Sequence, residues 1–129
     1  MKMIIKNIEY NNNIIYIIGD TSIGKIKGKW CYKEHPILNK EYYFELDIDD
    51  IDRSEISVIN LDDFSSNVSL CNDSVLFKGV CEEIDDIYVI RFSVDWIEMI
   101  GIENDDFTIK KGDCISFSKC YENIGIYPY

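Results

Sequence analysis

Four carboxylates, Asp47, Asp49, Asp50 and Asp52, crowd one short stretch, and closely spaced acidic oxygens are what a calcium loop supplies. Such a loop also needs an oxygen donor at its fifth position, a glycine at the sixth and a closing Glu at the twelfth. Here Ile51 and Asp52 take the fifth and sixth. The run therefore reads as the solvated end of an Asp-rich strand or as part of an acidic docking patch, and no metal or other cofactor is expected. Gly19 and the pair Gly24-Lys25 match the first part of a phosphate loop, G-x-x-x-x-G-K-[ST], but Ile26 stands where the magnesium-binding hydroxyl belongs. His35, the only histidine, precedes Pro36. It has no second histidine with which to share a metal and, paired with Cys31, no orienting third group, so neither a metal site nor an activated nucleophile follows. Chance pairs of carboxylates are inevitable in so acidic a chain, and sequence alone places none of them in a shared cleft. The chain is expected not to be an enzyme.

The elements that position these residues read as strands. Residues 26–32 set Ile26, Gly28, Trp30 and Tyr32 against Lys25, Lys27 and Lys29, and residues 41–49 set Tyr42, Phe44, Leu46 and Ile48 against Tyr43, Glu45 and Asp47. A period of two is a strand's period. Joined through the loop at 33–40, the two are expected to form an antiparallel hairpin in which a lysine row faces an acidic row.

Earlier in the chain, residues 2–10 and 14–18 alternate around Asn11-Asn12-Asn13, a turn sequence because Asn tolerates left-handed backbone, and a second turn is expected at 19–22. Later come a strand at 55–61, a turn or single helical turn at 61–67, and a hairpin of 68–71 with 75–81 about Asn72-Asp73. An acidic connection at 82–86 leads into the clearest strand, 88–96, with Tyr88, Ile90, Phe92, Val94 and Trp96 on one face. Residues 95–101 fit either a continued strand with a bulge near Gly101 or a short capped helix, and the strand is favoured. Short strands at 107–109, 114–120 and 124–127 close the chain. Residues 1–129 thus read as a single all-β domain, an antiparallel β-barrel or β-sandwich of short strands with at most one or two helical turns.

The 129 residues, 47% hydrophobic and 29% charged, suit one globular domain without staples. Five cysteines without a C-x-x-C pair fit free thiols in a reducing compartment. The first ten residues already alternate as a strand rather than as a secretory signal, and no apolar run approaches the ~18 residues that cross a bilayer. A cytoplasmic protein without membrane contact is the expectation. The net charge of -11 is uneven: residues 41–109 carry nineteen acidic and three basic side chains, while 1–40 carry three and seven. A chain of this sign is repelled by phosphate backbones and anionic membranes, and it attracts a basic protein.

The segments G-K-I-K-G-K-W-C at 24–31, N-K-E-Y-Y-F-E-L-D-I-D-D at 39–50, G-V-C-E-E-I-D-D-I at 79–87 and I-G-I-Y at 124–127 resemble bacterial immunity proteins of contact-dependent growth inhibition and related polymorphic toxin systems. The resemblance implies a protein that binds one cognate toxin domain, commonly a nuclease, and blocks its active site or substrate groove. The expected contact residues are Asp47, Asp49, Asp50, Asp52, Glu82, Glu83, Asp85 and Asp86, with Tyr43, exposed by strand parity, as an aromatic anchor. The rival reading is an OB-like nucleic-acid or nucleotide-binding barrel served by Lys25, Lys27, Lys29 and Lys33. A carboxylate-based enzyme ranks third.

Overall fold

A computed structural model describes residues 1–59 and 64–129. The end of the strand expected at 55–61 and the start of the turn expected at 61–67 lie outside the described residues. Among those described, the protein is all-β: thirteen strands and two single-turn 3-10 helices. The chain divides into two compact units, one formed by Met1–Ile48, Val68–Val75 and Lys119–Tyr129, the other by Asp49–Asn67 and Leu76–Ser118.

In the first unit, β1 (Lys2–Asn11) and β2 (Ile14–Thr21) form the expected hairpin. Asn12 and Asn13 take φ of 49° and 68°, the left-handed pair that a tight two-residue hairpin demands. β3 (Gly24–Trp30), β4 (Glu41–Ile48) and β13 (Ile124–Pro128) complete a closed barrel of order β1-β2-β3-β13-β4. Inside lie Met3, Ile5, Ile17, Ile26, Phe44 and Ile126, the inward set of each strand's alternation. β7 (Asn67–Cys71) turns through Asn72 into the start of β8 (Ser74–Ile84), which is the hairpin the sequence indicates.

The hairpin expected between β3 and β4 is not made. β13 lies between them, parallel to β3 through Gly125↔Lys29 and Ile126↔Trp30 and antiparallel to β4 from Ile124↔Ile48 to Pro128↔Phe44. Gly28 admits it, since a Cβ there would lie 2.8 Å from the Ile124 carbonyl oxygen. The loop after β3 docks elsewhere. Trp30 Nε1 donates to the Glu34 carbonyl at 2.8 Å, while Asn39 N and Ile5 N exchange hydrogen bonds with Ile5 O and Lys40 O. The turn after β2 also moves: Gly19–Thr21 stay in the strand and the chain reverses at Ser22-Ile23, where the Thr21 hydroxyl donates to Gly24 O.

In the second unit β8, β9 (Tyr88–Ser93), β10 (Trp96–Ile100), β12 (Cys114–Cys120) and β6 (Ser57–Ile59) contribute to a sheet of order β10-β9-β8-β12-β6. A short parallel pair, β5 (Ile51–Asp52) and β11 (Ile102–Glu103), accompanies it. The core is aromatic: Phe77 stacks on Phe117 with centroids 5.1 Å apart, and Phe92 meets both Phe77 and Trp96 at 5.5 Å. Each such pair adds about 0.5–1.5 kcal/mol beyond its buried area.

Three expectations change in this unit. The strand expected at 88–96 breaks at Val94-Asp95, where the Arg91 guanidinium gathers the carbonyls of Ser93 and Val94 and the Ser93 hydroxyl donates to Asp95; Val94 is 96% exposed, not core. β8 runs on to Ile84 with a bulge between Cys81 and Glu83, which shortens the acidic connection to a turn. Residues 107–109 form no strand. Asp105 and Asp106 accept the backbone N–H groups of Phe107 and Thr108, so side-chain capping holds a loop with Phe107 at φ 60°.

Candidate partner-binding surface

Charge also separates by unit. Counted over the sequence, the second unit carries sixteen acidic and five basic side chains and the first carries eight of each. The whole net charge of -11 therefore belongs to the second unit.

The acidic residues singled out from the sequence do not form one group. Tyr43 and Asp47 are exposed on β4 in the barrel unit. Tyr43 stacks on Tyr129 at 6.1 Å and lies under the Lys2 ammonium at 5.3 Å. Asp49, Asp50, Asp52, Glu82, Glu83, Asp85 and Asp86 belong to the second unit. Two of these are occupied in holding the fold. Asp52 caps the 3-10 turn Arg53–Glu55 by accepting from Ser54 N at 2.9 Å. It also accepts from Asn104 Nδ2 at 2.6 Å, and the Asn104 bond, with the two from Ser54, holds its carboxyl below the ordinary range. Glu82 is neutralised by Arg91, which donates to both of its oxygens. Asp50 lies against Gly101, where a Cβ would come within 2.3 Å of its Oδ1. Glu83, Asp85 and Asp86 are exposed at the β8–β9 turn, and among the described residues they form no ion pair.

Sequence reading missed what lies beside these three. Ile97 and Met99 are exposed on β10, while Trp96 and Ile100 turn inward. The register sets Met99 opposite Val89 and Val89 opposite Glu83, and Ile97 opposite Arg91 and Arg91 opposite Val80. An aliphatic face thus runs into a carboxylate edge, with exposed Ile84 and Ile87 flanking the turn. Alternation from Trp96 to Ile100 was the signal. It was hidden because residues 95–101 also fit a capped helix and because Ile and Met are ordinarily assigned to the core.

Two of the four lysines of the rival reading, Lys25 and Lys27, are committed within the barrel unit. Lys25 pairs with Asp20 at 2.5 Å. Lys27 pairs with Glu9 at 2.9 Å and sits 4.1 Å above the Tyr121 ring, itself edge-on to Tyr16. The acidic partners come from β1 and β2, not from β4. A cleft of about 170 Å³ in the same unit is lined by Tyr32, Glu34, Lys40, Tyr42, Pro128 and Tyr129, and Lys40 Nζ lies 4.9 Å from the Tyr42 centroid. His35 contacts the Tyr10 hydroxyl through Nε2 and the Pro36 carbonyl through Nδ1. Cys81 and Cys114 are buried thiols, pushed up by burial first and by Asp113 second. Among the described residues no helix is long and apolar enough to cross a membrane, and no three His, Cys, Asp or Glu side chains group to hold a metal.

Compared with known proteins, the chain matches no family model, no curated protein and no solved structure.

Proposed function

We propose that this chain is a non-enzymatic binding module that captures a basic protein, and that its partner is a nuclease-type toxin domain whose active site or substrate groove it covers. The confinement of the entire net charge to one unit carries the reading. A phosphate-seeking toxin surface is positive, and opposed fields of this kind raise association rates by about ten- to a thousandfold. The sequence resemblance to immunity proteins supplies the toxin as the specific partner, and a cytoplasmic site of action accompanies it.

The test is co-expression with the C-terminal domain of a secreted protein encoded beside this gene, followed by size-exclusion chromatography of the purified pair. Restored growth and a stable complex are expected. A domain that remains lethal and elutes alone overturns the toxin assignment.

A second reading, nucleic-acid binding by the barrel, has its own support. The order β1-β2-β3-β13-β4 makes a five-stranded Greek-key barrel of the kind OB folds use, and Tyr32, Tyr42 and Tyr129 offer faces for stacking bases. Against it, Lys25 and Lys27 already neutralise carboxylates. Salt-sensitive binding of a labelled oligothymidylate, lost on Tyr42→Ala substitution, would favour this reading over the first.

A further inference from the structure

We propose that the outer face of β9 and β10, centred on Val89, Ile97 and Met99 and edged by Glu83, Asp85 and Asp86, is the docking surface for a protein segment that carries aliphatic side chains interleaved with lysine or arginine. The proposal rests on the basic-partner reading above and names the surface that reading lacks.

Three observations lead to it. First, Met99 is 64% exposed and Ile97 44%, on a strand whose alternate residues Trp96 and Ile100 are buried; large aliphatic groups on one face of an ordered strand are the apolar centre that interfaces require. Second, the face is laterally ordered: Met99, Val89 and Glu83 stand in one register row. The carboxylate therefore lies two strand spacings, about 10 Å, from the Met99 position, within reach of a lysine or arginine beside an aliphatic group seated on Met99. Third, charge selects the occupant. Arg91 is spent on Glu82 and on the carbonyls of Ser93 and Val94. Lys78 is the one other cation carried by β8 itself, Lys110 and Lys111 lie on the turn hydrogen-bonded to Cys81, and residues 82–87 carry no cation. Glu83, Asp85 and Asp86 then set the sign of the border. A second copy of this chain would bring the same carboxylates against themselves, whereas a basic segment meets them with opposite charge.

The arrangement also divides the work. The carboxylates steer, and the aliphatic side chains, once covered, set the lifetime of the complex, since a few well-packed groups hold most of an interface's energy. Methionine suits such a place because its flexible side chain adapts to different partner shapes.

Two short peptides of equal charge serve as probes, one alternating Lys with Val and the other alternating Lys with Ser, titrated into the full chain with methyl-labelled Ile, Val and Met while spectra are recorded. The Lys/Val peptide is expected to bind at least about tenfold more tightly, as removal of central apolar contacts predicts, and to shift Val89, Ile97 and Met99. An Ile97→Asp, Met99→Asp double variant should erase the preference. Val58→Asp, an exposed aliphatic on β6, should retain it, and thermal melts check that both variants fold. Equal binding of the two peptides, or shifts away from β9 and β10, overturns the docking surface and leaves the basic-partner reading standing. Failure of both peptides to bind at low salt overturns both.

Discussion

Arg91 holds Glu82 through two hydrogen bonds of 3.0 Å, from Nε and Nη2, and with its remaining arm ties down the Ser93 and Val94 carbonyls. One side chain thus clamps β8 to β9 and shapes the turn into β10. Both partners are about two-fifths exposed, so the ion pair alone is screened and contributes less than about 1 kcal/mol. Loss of the carbonyl contacts adds to it. Arg91→Ala should cost about 1–2 kcal/mol in urea unfolding, and Glu82→Gln less than about 1. Equal losses in the two variants would mean that the turn contacts contribute nothing.

Tyr88 sets an alkaline limit on the second unit. Burial first, and then donation of its hydroxyl to Asp105, pushes its pKa up to about 12. The folded state holds the proton more tightly than the unfolded state does, so this contribution is complete below the unfolded value near 10 and is lost as pH climbs from there to about 12. The loss should approach about 2 kcal/mol. Tyr88→Phe should be less stable at pH 8 through loss of the Asp105 bond, yet its stability should fall less between pH 10 and 11.5. Parallel alkaline slopes for the two proteins would remove Tyr88 as the cause.

Gly24 opens β3 at φ 137°, and a Cβ there would come within 1.7 Å of the Val68 carbonyl oxygen. Gly112 has φ 93° with nothing within 4 Å of the same position. Gly112→Ala therefore meets backbone strain alone, about 1–2 kcal/mol, and Gly24→Ala meets strain plus a backbone clash, about 3 kcal/mol or more. Unfolding midpoints of the two variants test the difference. If Gly24→Ala proves the milder, the close approach of β7 to β3 is not as described.

The fold was legible where side-chain chemistry is local. Asn12, Asn13 and Asn72 announce their left-handed turns, and alternation from Lys25 to Trp30 gives the inward face of β3 correctly. Pairing between distant strands was not legible. Nothing in residues 26–49 reveals that Ile124–Pro128 separates β3 from β4, because alternation fixes which face a residue takes and not which neighbour it meets. The same limit applied to the acidic residues. Charge counts found the excess, but only geometry distinguishes Asp52 and Glu82, which are hydrogen-bonded within the fold, from Glu83, Asp85 and Asp86 at the turn.

That distinction changes how charge reversal should be tested. Glu83→Lys, Asp85→Lys and Asp86→Lys together remove a cluster that forms no ion pair among the described residues, without touching the Arg91 clamp. They should lower the association rate of a basic partner roughly tenfold at low salt, with the gap closing as salt screens the field. Dissociation should change little, because rim charges act mainly on encounter. Glu82→Lys should do the reverse: it sets two cations against each other beside the Ser93-Val94 turn, lowers stability and disturbs β10, so its effect should persist at high salt. Stopped-flow association at two ionic strengths, with urea unfolding of each variant, separates the two behaviours. If Glu82→Lys instead matches the triple variant in salt dependence while remaining fully stable, the Glu82 carboxylate is a steering charge and its pairing with Arg91 does not persist in solution.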